Sequence, residues 1–214
     1  MAGLLALVLL TLLLGGWQWS RMQEKEALFA RYRAAATHAP LAWAGGAPPG
    51  DYRQVQLAGH WLPERELTLA PRTHEGQIGF EVVSPFQLQD GQIVLVNRGW
   101  LVQGSAIPPT GSVALVELQP WPRFLELAQT HPEGNHFQNI DARRYAAWAG
   151  GRQPVAYVRA LGSATPFARS AGPGAIGPER HLGYALTWWA MSAIGLLLCW
   201  RFYRSNRGEA DAIS

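Results

Sequence analysis

One cysteine among 214 residues is the first constraint this chain sets. It is Cys199, inside an uncharged run near the C-terminus, so the long middle of the sequence carries no thiol. That excludes a disulfide framework, a CxxC redox or copper motif and a cysteine nucleophile in that region. Charge is also sparse: only 15% of residues are Asp, Glu, Lys or Arg. Residues 21–180 hold 15 basic against 13 acidic side chains, which makes no field for nucleic acid. Neither a phosphate loop GxxxxGK[ST] nor a GxSxG elbow is present. The Gly172 to Gly177 segment spells GxGxxG, but prolines interrupt it and an apolar run follows, so it lacks the strand-turn-helix setting of a dinucleotide site.

Long apolar runs are what the chain has instead. Met1–Ser20, "MAGLLALVLLTLLLGGWQWS", contains no charged side chain, and neither do the 19 residues from Leu182 to Trp200. About 20 apolar residues in an α-helix cross a hydrocarbon core roughly 30 Å thick. Trp17 and Trp19 close the first run, Tyr184, Trp188, Trp189 and Trp200 sit towards the ends of the second, and Arg201, Arg204 and Arg207 follow it. Aromatic belts and flanking arginines mark membrane boundaries. The first run has no basic leader and no small-residue cleavage site, so it reads as an uncleaved anchor, with room for a start further upstream. The expected organisation is a transmembrane helix over 1–20, an extracytoplasmic β-rich domain over 21–180, a second transmembrane helix over 181–200 and a cytoplasmic tail over 201–214. Within the domain, 21–36 is expected to continue the first helix. Arg21, Lys25, Arg31 and Arg33 pull the other way, but long loops translocate largely regardless of charge. Both termini are therefore expected in the cytoplasm and the main domain in the periplasm, in a bacterial inner membrane.

Between the runs the pattern has period two. Val55, Leu57 and Trp61 share one face, as do Leu67 with Leu69, and Ile78, Phe80 and Val82. Asp90-Gly91 joins "VVSPFQLQ" to "QIVLVNRGW" as a tight hairpin turn. "SVALVELQ" and "PVAYVRAL" continue the strands, with a helical patch "ARRYAAWAG" after Asp141. The fold expected is a mostly antiparallel β domain, barrel- or sandwich-like, with one or two short helices, flanked by the two transmembrane helices.

Most histidines carry little signal. His131 and His136 are five apart in a loop with Pro132 and Gly134, where solvation is the better reading than a metal site. His60 falls on the polar face of its strand, and His38 and His74 sit at helix-end and turn positions. A hydrolase or transferase would need a nucleophile paired with a base, and none is recognisable; turnover depending on His60 or Asp141 would be needed to argue for one.

His181 differs. On a helix of roughly 3.6 residues per turn, His181, Ala185, Trp188, Ser192, Gly195 and Cys199 form one stripe, while Leu182, Leu186, Ala193, Leu196, Leu197 and Trp200 dominate the rest. Small, weakly polar stripes mark packing faces in membrane helices, and ionisable residues there seldom face lipid. The residues alone leave two roles open: an imidazole hydrogen-bonded to the polar domain or headgroups, or an axial haem ligand with Tyr184 and Trp188 to stack on a macrocycle.

Several strings together, "GGWQWSRMQEKEAL", "VQLAGHW", "VLVNRGWL", "NHFQNIDARRYAAW" and "PERHLGYALTWWAM", resemble the surfeit-one (Shy) family of cytochrome c oxidase assembly factors, nearly end to end and in order. The resemblance implies a non-enzymatic factor that binds haem a and promotes its insertion into subunit I of a haem-copper oxidase. It implies cytochrome c oxidase subunit I and haem a synthase as partners, alongside membrane lipid, and His181 as the metal ligand. Arg98 and Arg180 could pair with haem propionates, since guanidinium matches carboxylate geometry; for Arg98 a structural hairpin contact is an equal reading, and Trp100 reads as packing. The alternative is a cofactor-free membrane scaffold that holds subunit I during assembly.

Overall fold

A computed structural model of the chain describes residues 2–111, 115–122, 132–162, 166–168 and 177–211, with side chains described as far as 205 in the last helix. His131, the expected strand residues 112–114 and most of the GxGxxG segment lie outside the described residues. The chain divides into two compact units, Met1–Arg31 with Gly172–Ser214, and Tyr32–Ala171.

The first unit is built from α1 (Ala2–Ala36) as far as Arg31 and from α3 (Pro178–Asp211). α1 runs unbroken from the leucine run through "RMQEKEALFARYR", so the expected helical extension is present. Both helices are long and apolar enough to cross a membrane, and in each only 17% of the most apolar window is buried. A core helix of a water-soluble protein would bury most of such a window. Leu9, Leu13, Leu186 and Leu197 are instead more than half exposed.

Within this unit the helices meet along one stripe each. The buried residues of α1 are Val8, Thr11, Gly15 and Met22, and on α3 Ala185, Ser192, Gly195 and Cys199 are buried. Steps of three and four along both helices give the 3.5-residue spacing of knobs-into-holes packing. The contacts run antiparallel: a Cβ at Gly195 would overlap Val8 and one at Gly15 would overlap the Trp189 indole, while the Thr11 and Ser192 hydroxyls are 2.6 Å apart. Glycine is required at these rungs because the facing side chain takes the space of its missing Cβ.

The second unit is a mixed sheet. Its strands are β1 (Leu41–Trp43), β2 (Gln54–Leu57), β3 (Gly59–Trp61), β4 (Leu67–His74), β5 (Gln77–Leu88), β6 (Ile93–Val102), β7 (Leu115–Gln119), β8 (His136–Phe137) and β9 (Ala156–Leu161), with the short helix α2 (Ala142–Ala149) before β9. The order is β1-β2-β7-β9-β6-β5-β4-β8, and β3 pairs β5. The β1–β2, β4–β8 and β6–β9 pairings are parallel. This corrects the mostly antiparallel expectation. Two of those pairings involve strands of three and two residues, too short to show a period, and the third joins strands far apart in sequence.

β2 and β3 are separated by Ala58 alone, yet β2 pairs β7 and β3 pairs β5. The pairings β2–β7–β9–β6–β5–β3 therefore return to the segment they left. Gly59, at φ +159° and with Gln87 backbone where a Cβ would stand, makes the bend between the two halves. Inside the ring lies a core of Val55, Leu57, Phe86, Val94, Val96, Leu118 and Val158. A second core, including Leu67, Leu69, Val83, Leu95, Ile140 and Tyr145, fills the space between the sheet and α2. β6 is buried on both faces, which is why "IVLV" is continuous rather than alternating.

Local signals account for the ends of α2 and for the hairpin. Asp141 caps α2, its carboxylate accepting from the Arg143 and Arg144 N–H groups, and Gly150 ends it at φ +63°. In the β5–β6 hairpin Gly91 alone of the Asp90-Gly91 pair has positive φ, at +83°. The Asp90 carboxylate instead accepts from Gln92 N at 3.0 Å and Gly46 N at 2.8 Å. Those donors hold it below the usual carboxylate range.

Candidate functional site

The helix pair supplies the candidate site. α3 opens at Pro178, with its φ pre-set for a first turn and Glu179 complementing the helix N-terminus. His181 follows one residue after the exposed Arg180 and is itself half-buried. Its Nδ1 lies 2.8 Å from Oε1 of Gln18 on α1. An amide oxygen only accepts, so Nδ1–H donates and, in the neutral ring, Nε2 keeps its lone pair. Among the described residues no other hydrogen bond engages this imidazole.

Further along α3, Tyr184 is 56% exposed and Trp188 is half-buried. Trp19 and Trp189 pair their rings at 5.8 Å. His181, Tyr184, Trp188 and Arg180 thus share one helix and one unit, with a single nitrogen donor beside apolar and aromatic surface. That donor set fits an axial ligand for a flat iron macrocycle, since ligating imidazoles hold their second nitrogen in a hydrogen bond.

Arg98 lies in the other unit, on β6, and its guanidinium is occupied. Nη1 pairs with Glu66 at 2.8 Å, Nη2 donates to the Pro108 and Pro109 carbonyls at 2.8 Å, and Phe167 lies under the group at 4.8 Å. The Glu66 carboxylate also accepts from Ser84. This is the structural contact weighed for Arg98. The neighbouring motif residues are used in the same way. Asn97 accepts from Gly99 N and donates to the Tyr157 hydroxyl, and Trp100 is buried with its indole on Arg72 O. Burial drives the Tyr157 phenol well above its ordinary value. Gly99 has φ +127°, and the Ala168 carbonyl is 2.7 Å from where a Cβ would be. "NRGW" therefore reads as a structural bulge: the β5–β6 register shifts between Val82 and Val83, opposite it.

The remaining histidines are placed plainly. His60 is exposed on β3, His38 bonds Ala34 O at the end of α1, His74 stacks on Trp100, and His136 meets Thr68 at 2.6 Å. Asp141 is committed to capping. Among the described residues no group of three His, Cys, Asp or Glu is arranged to hold a metal ion. Gln18 is the residue that sequence reasoning passed over. The signal was present: it is a polar amide inside an uncharged run, seven residues after Thr11 and therefore on the same stripe.

The SURF1 family model matches residues 5–193, which takes in most of α1, the sheet unit and the first half of α3. The chain belongs to the SURF1 family. A SURF1-like protein of Monosiga brevicollis is 30% identical over 98% of this chain and 89% of its own length. A cytochrome oxidase assembly protein, SHY1, of Saccharomyces cerevisiae is 31% identical over 48% of this chain and 28% of its own length. A bacterial SURF1-like protein, from Rickettsia felis, is 33% identical over 45% of each chain. The family match ends within α3, beyond His181, so the Gln18–His181 pair lies inside the family region.

Proposed function

We propose that this SURF1-family protein is a membrane-anchored, non-enzymatic assembly factor for haem-copper cytochrome oxidase, which binds haem a through His181 and promotes its insertion into subunit I. One observation carries the reading: an imidazole at the mouth of an apolar helix pair has one nitrogen held by Gln18 and the other free of partners among the described residues. A lone pair in that position is what axial ligation of haem iron uses. Tyr184 and Trp188 offer aromatic surface on the same helix. Arg180, exposed in the first turn, offers a guanidinium for a propionate, a role for which Arg98 is less suited while Glu66 and two carbonyls hold it.

The membrane setting belongs to the same proposal. α1 and α3 span a bacterial inner membrane, the sheet unit is periplasmic, and both termini are cytoplasmic, as Arg201, Arg204 and Arg207 after the second span favour. Cargo held at the span boundary is then at the depth where a lipid-embedded subunit I can receive it. Reporter fusions after Arg207 and within the loop near Gly134 test the orientation, and an active periplasmic reporter at the C-terminus would overturn it.

The deciding experiment is His181→Ala, expressed with haem a biosynthesis and purified. The expected result is a protein that still inserts and accumulates but has lost most of its haem a absorption, with less haem-loaded oxidase in the membrane. His60→Ala, at an exposed strand position, should change neither. A His181→Ala protein with a full complement of haem a and an unaltered spectrum would remove the ligand assignment and favour the cofactor-free scaffold.

A further inference from the structure

We infer that Gln18 is a positioning residue for His181: its amide oxygen fixes the proton on Nδ1 and so presents Nε2, unprotonated, as the ligating atom. The inference rests on the haem-binding reading of His181. It starts from a difference between two polar rungs of the same helix pair. At the inner rung each hydroxyl has an acceptor on its own helix in reach of its one proton, Leu7 O and Val8 O for Thr11 and Trp188 O for Ser192, each within 3.1 Å. Those hydroxyls are satisfied with or without each other. At the outer rung, Gln18 and His181 meet at 2.8 Å, and among the described residues neither side chain has a hydrogen bond to its own helix to fall back on.

A neutral imidazole carries its proton on either nitrogen, and only the bare one can bind iron. A carbonyl acceptor at Nδ1 selects the ligating form before cargo arrives and fixes the ring plane. The chemistry of the acceptor also matters. A carboxylate there would draw the proton further, make the ring a stronger donor and tighten its hold on ferric iron. An amide orients without that gain, which suits a protein whose cargo has to leave.

The test uses the full-length protein in lipid nanodiscs. The ¹⁵N spectrum of histidine-labelled apoprotein, with His181 assigned by the His181→Ala variant, is recorded at a pH above about 8, where an ordinary imidazole is neutral. Wild type should show His181 protonated at Nδ1, and Gln18→Leu should move that proton to Nε2 or to a mixture. Titration with haem a should then show a loss of affinity for Gln18→Leu of roughly 10–100-fold, the range for removing a second-layer partner of a metal-bound histidine. The near-isosteric Gln18→Glu should keep binding and lower the haem midpoint potential. Gln18→Leu with wild-type tautomer and wild-type affinity, while His181→Ala loses haem, would overturn the role of Gln18 and leave the haem reading standing. If His181→Ala keeps its haem, the haem reading fails instead, and the apoprotein spectrum still decides whether Gln18 sets the tautomer.

Discussion

The two units bury their polar groups in opposite company. In the helix pair the outward faces are leucine and isoleucine, and what is tucked between the helices is small and weakly polar: Thr11, Gly15, Ser192 and Gly195. In the sheet unit the inward faces are apolar, yet a full ion pair sits among them, Glu117 with Arg159 at 2.8 Å, their side chains 1% and 6% exposed. The difference is the one that the proposed membrane setting of the helix pair predicts. Lipid gives no hydrophobic drive to press two apolar helices together, so close backbone approach and short hydrogen bonds join them. Water drives the sheet unit to collapse, and collapse can trap charges provided that they are paired.

That contrast predicts a ranking of effects. Breaking the buried ion pair from one side should cost most. Arg159→Met leaves the Glu117 carboxylate buried without its main counter-charge, at a cost of about 3–5 kcal/mol, whereas replacing both partners with apolar residues of similar volume should recover most of it. Chemical denaturation of the purified chain, followed in the sheet unit, checks both variants. A single variant as stable as the double one would show that water reaches Glu117.

Next in size is a helix rung. Gly15→Leu forces a branched side chain into the Trp189 indole and should weaken the helix pair by about 1–3 kcal/mol, the usual range for overpacking. A disulfide-trapping or energy-transfer measurement between the two helices should register it, while the sheet unit keeps its unfolding midpoint. Smaller still is Thr11→Val, which removes one interhelical hydroxyl bond. Such bonds average about 0.6 kcal/mol in membrane helices, and without Thr11 the Ser192 hydroxyl still has Trp188 O as an acceptor. A loss as large as that of Arg159→Met would mean that the two units do not differ as described.

The mildest effect concerns pH and the hairpin. Asp90 has its pKa lowered by the Gln92 and Gly46 N–H groups, so its ionised form favours the folded state. The sign follows directly: the stabilisation is present above the unfolded carboxylate pKa of about 3.9 and is lost as pH falls through the lower folded value. Asp90→Ala should therefore lower the melting midpoint at neutral pH, and the gap to wild type should close in acid. A gap independent of pH would locate the effect in packing rather than charge.

What was legible beforehand was whatever a short stretch of chain decides for itself. The uncharged runs specify two long helices, the alternation of Val55 with Leu57 and of Leu67 with Leu69 specifies strands, and Asp141 with Gly150 brackets α2. The stripe through Ala185, Ser192 and Gly195 was readable because it contrasts with the leucines around it. Its counterpart on α1 was harder to see, since Val8 hardly differs from its leucine neighbours and the tie from Gln18 lies 163 residues away from the histidine it holds. Arg98 shows the same limit. Its type suits a propionate as well as a carboxylate, and only the fold shows that Glu66, Pro108 and Pro109 approach it.

The amino-acid order by itself thus determined the helices, most of the strands, the family and the candidate ligand, because propensity, periodicity and capping act within a few residues. Tertiary structure decided the rest: the parallel pairings, the ring completed by one bent strand, the burial of Glu117 with Arg159, and the partner of His181. Those depend on which distant segments meet. A local pattern supplies the face that each segment presents, but burial and hydrogen-bond demand across the whole fold select its neighbour.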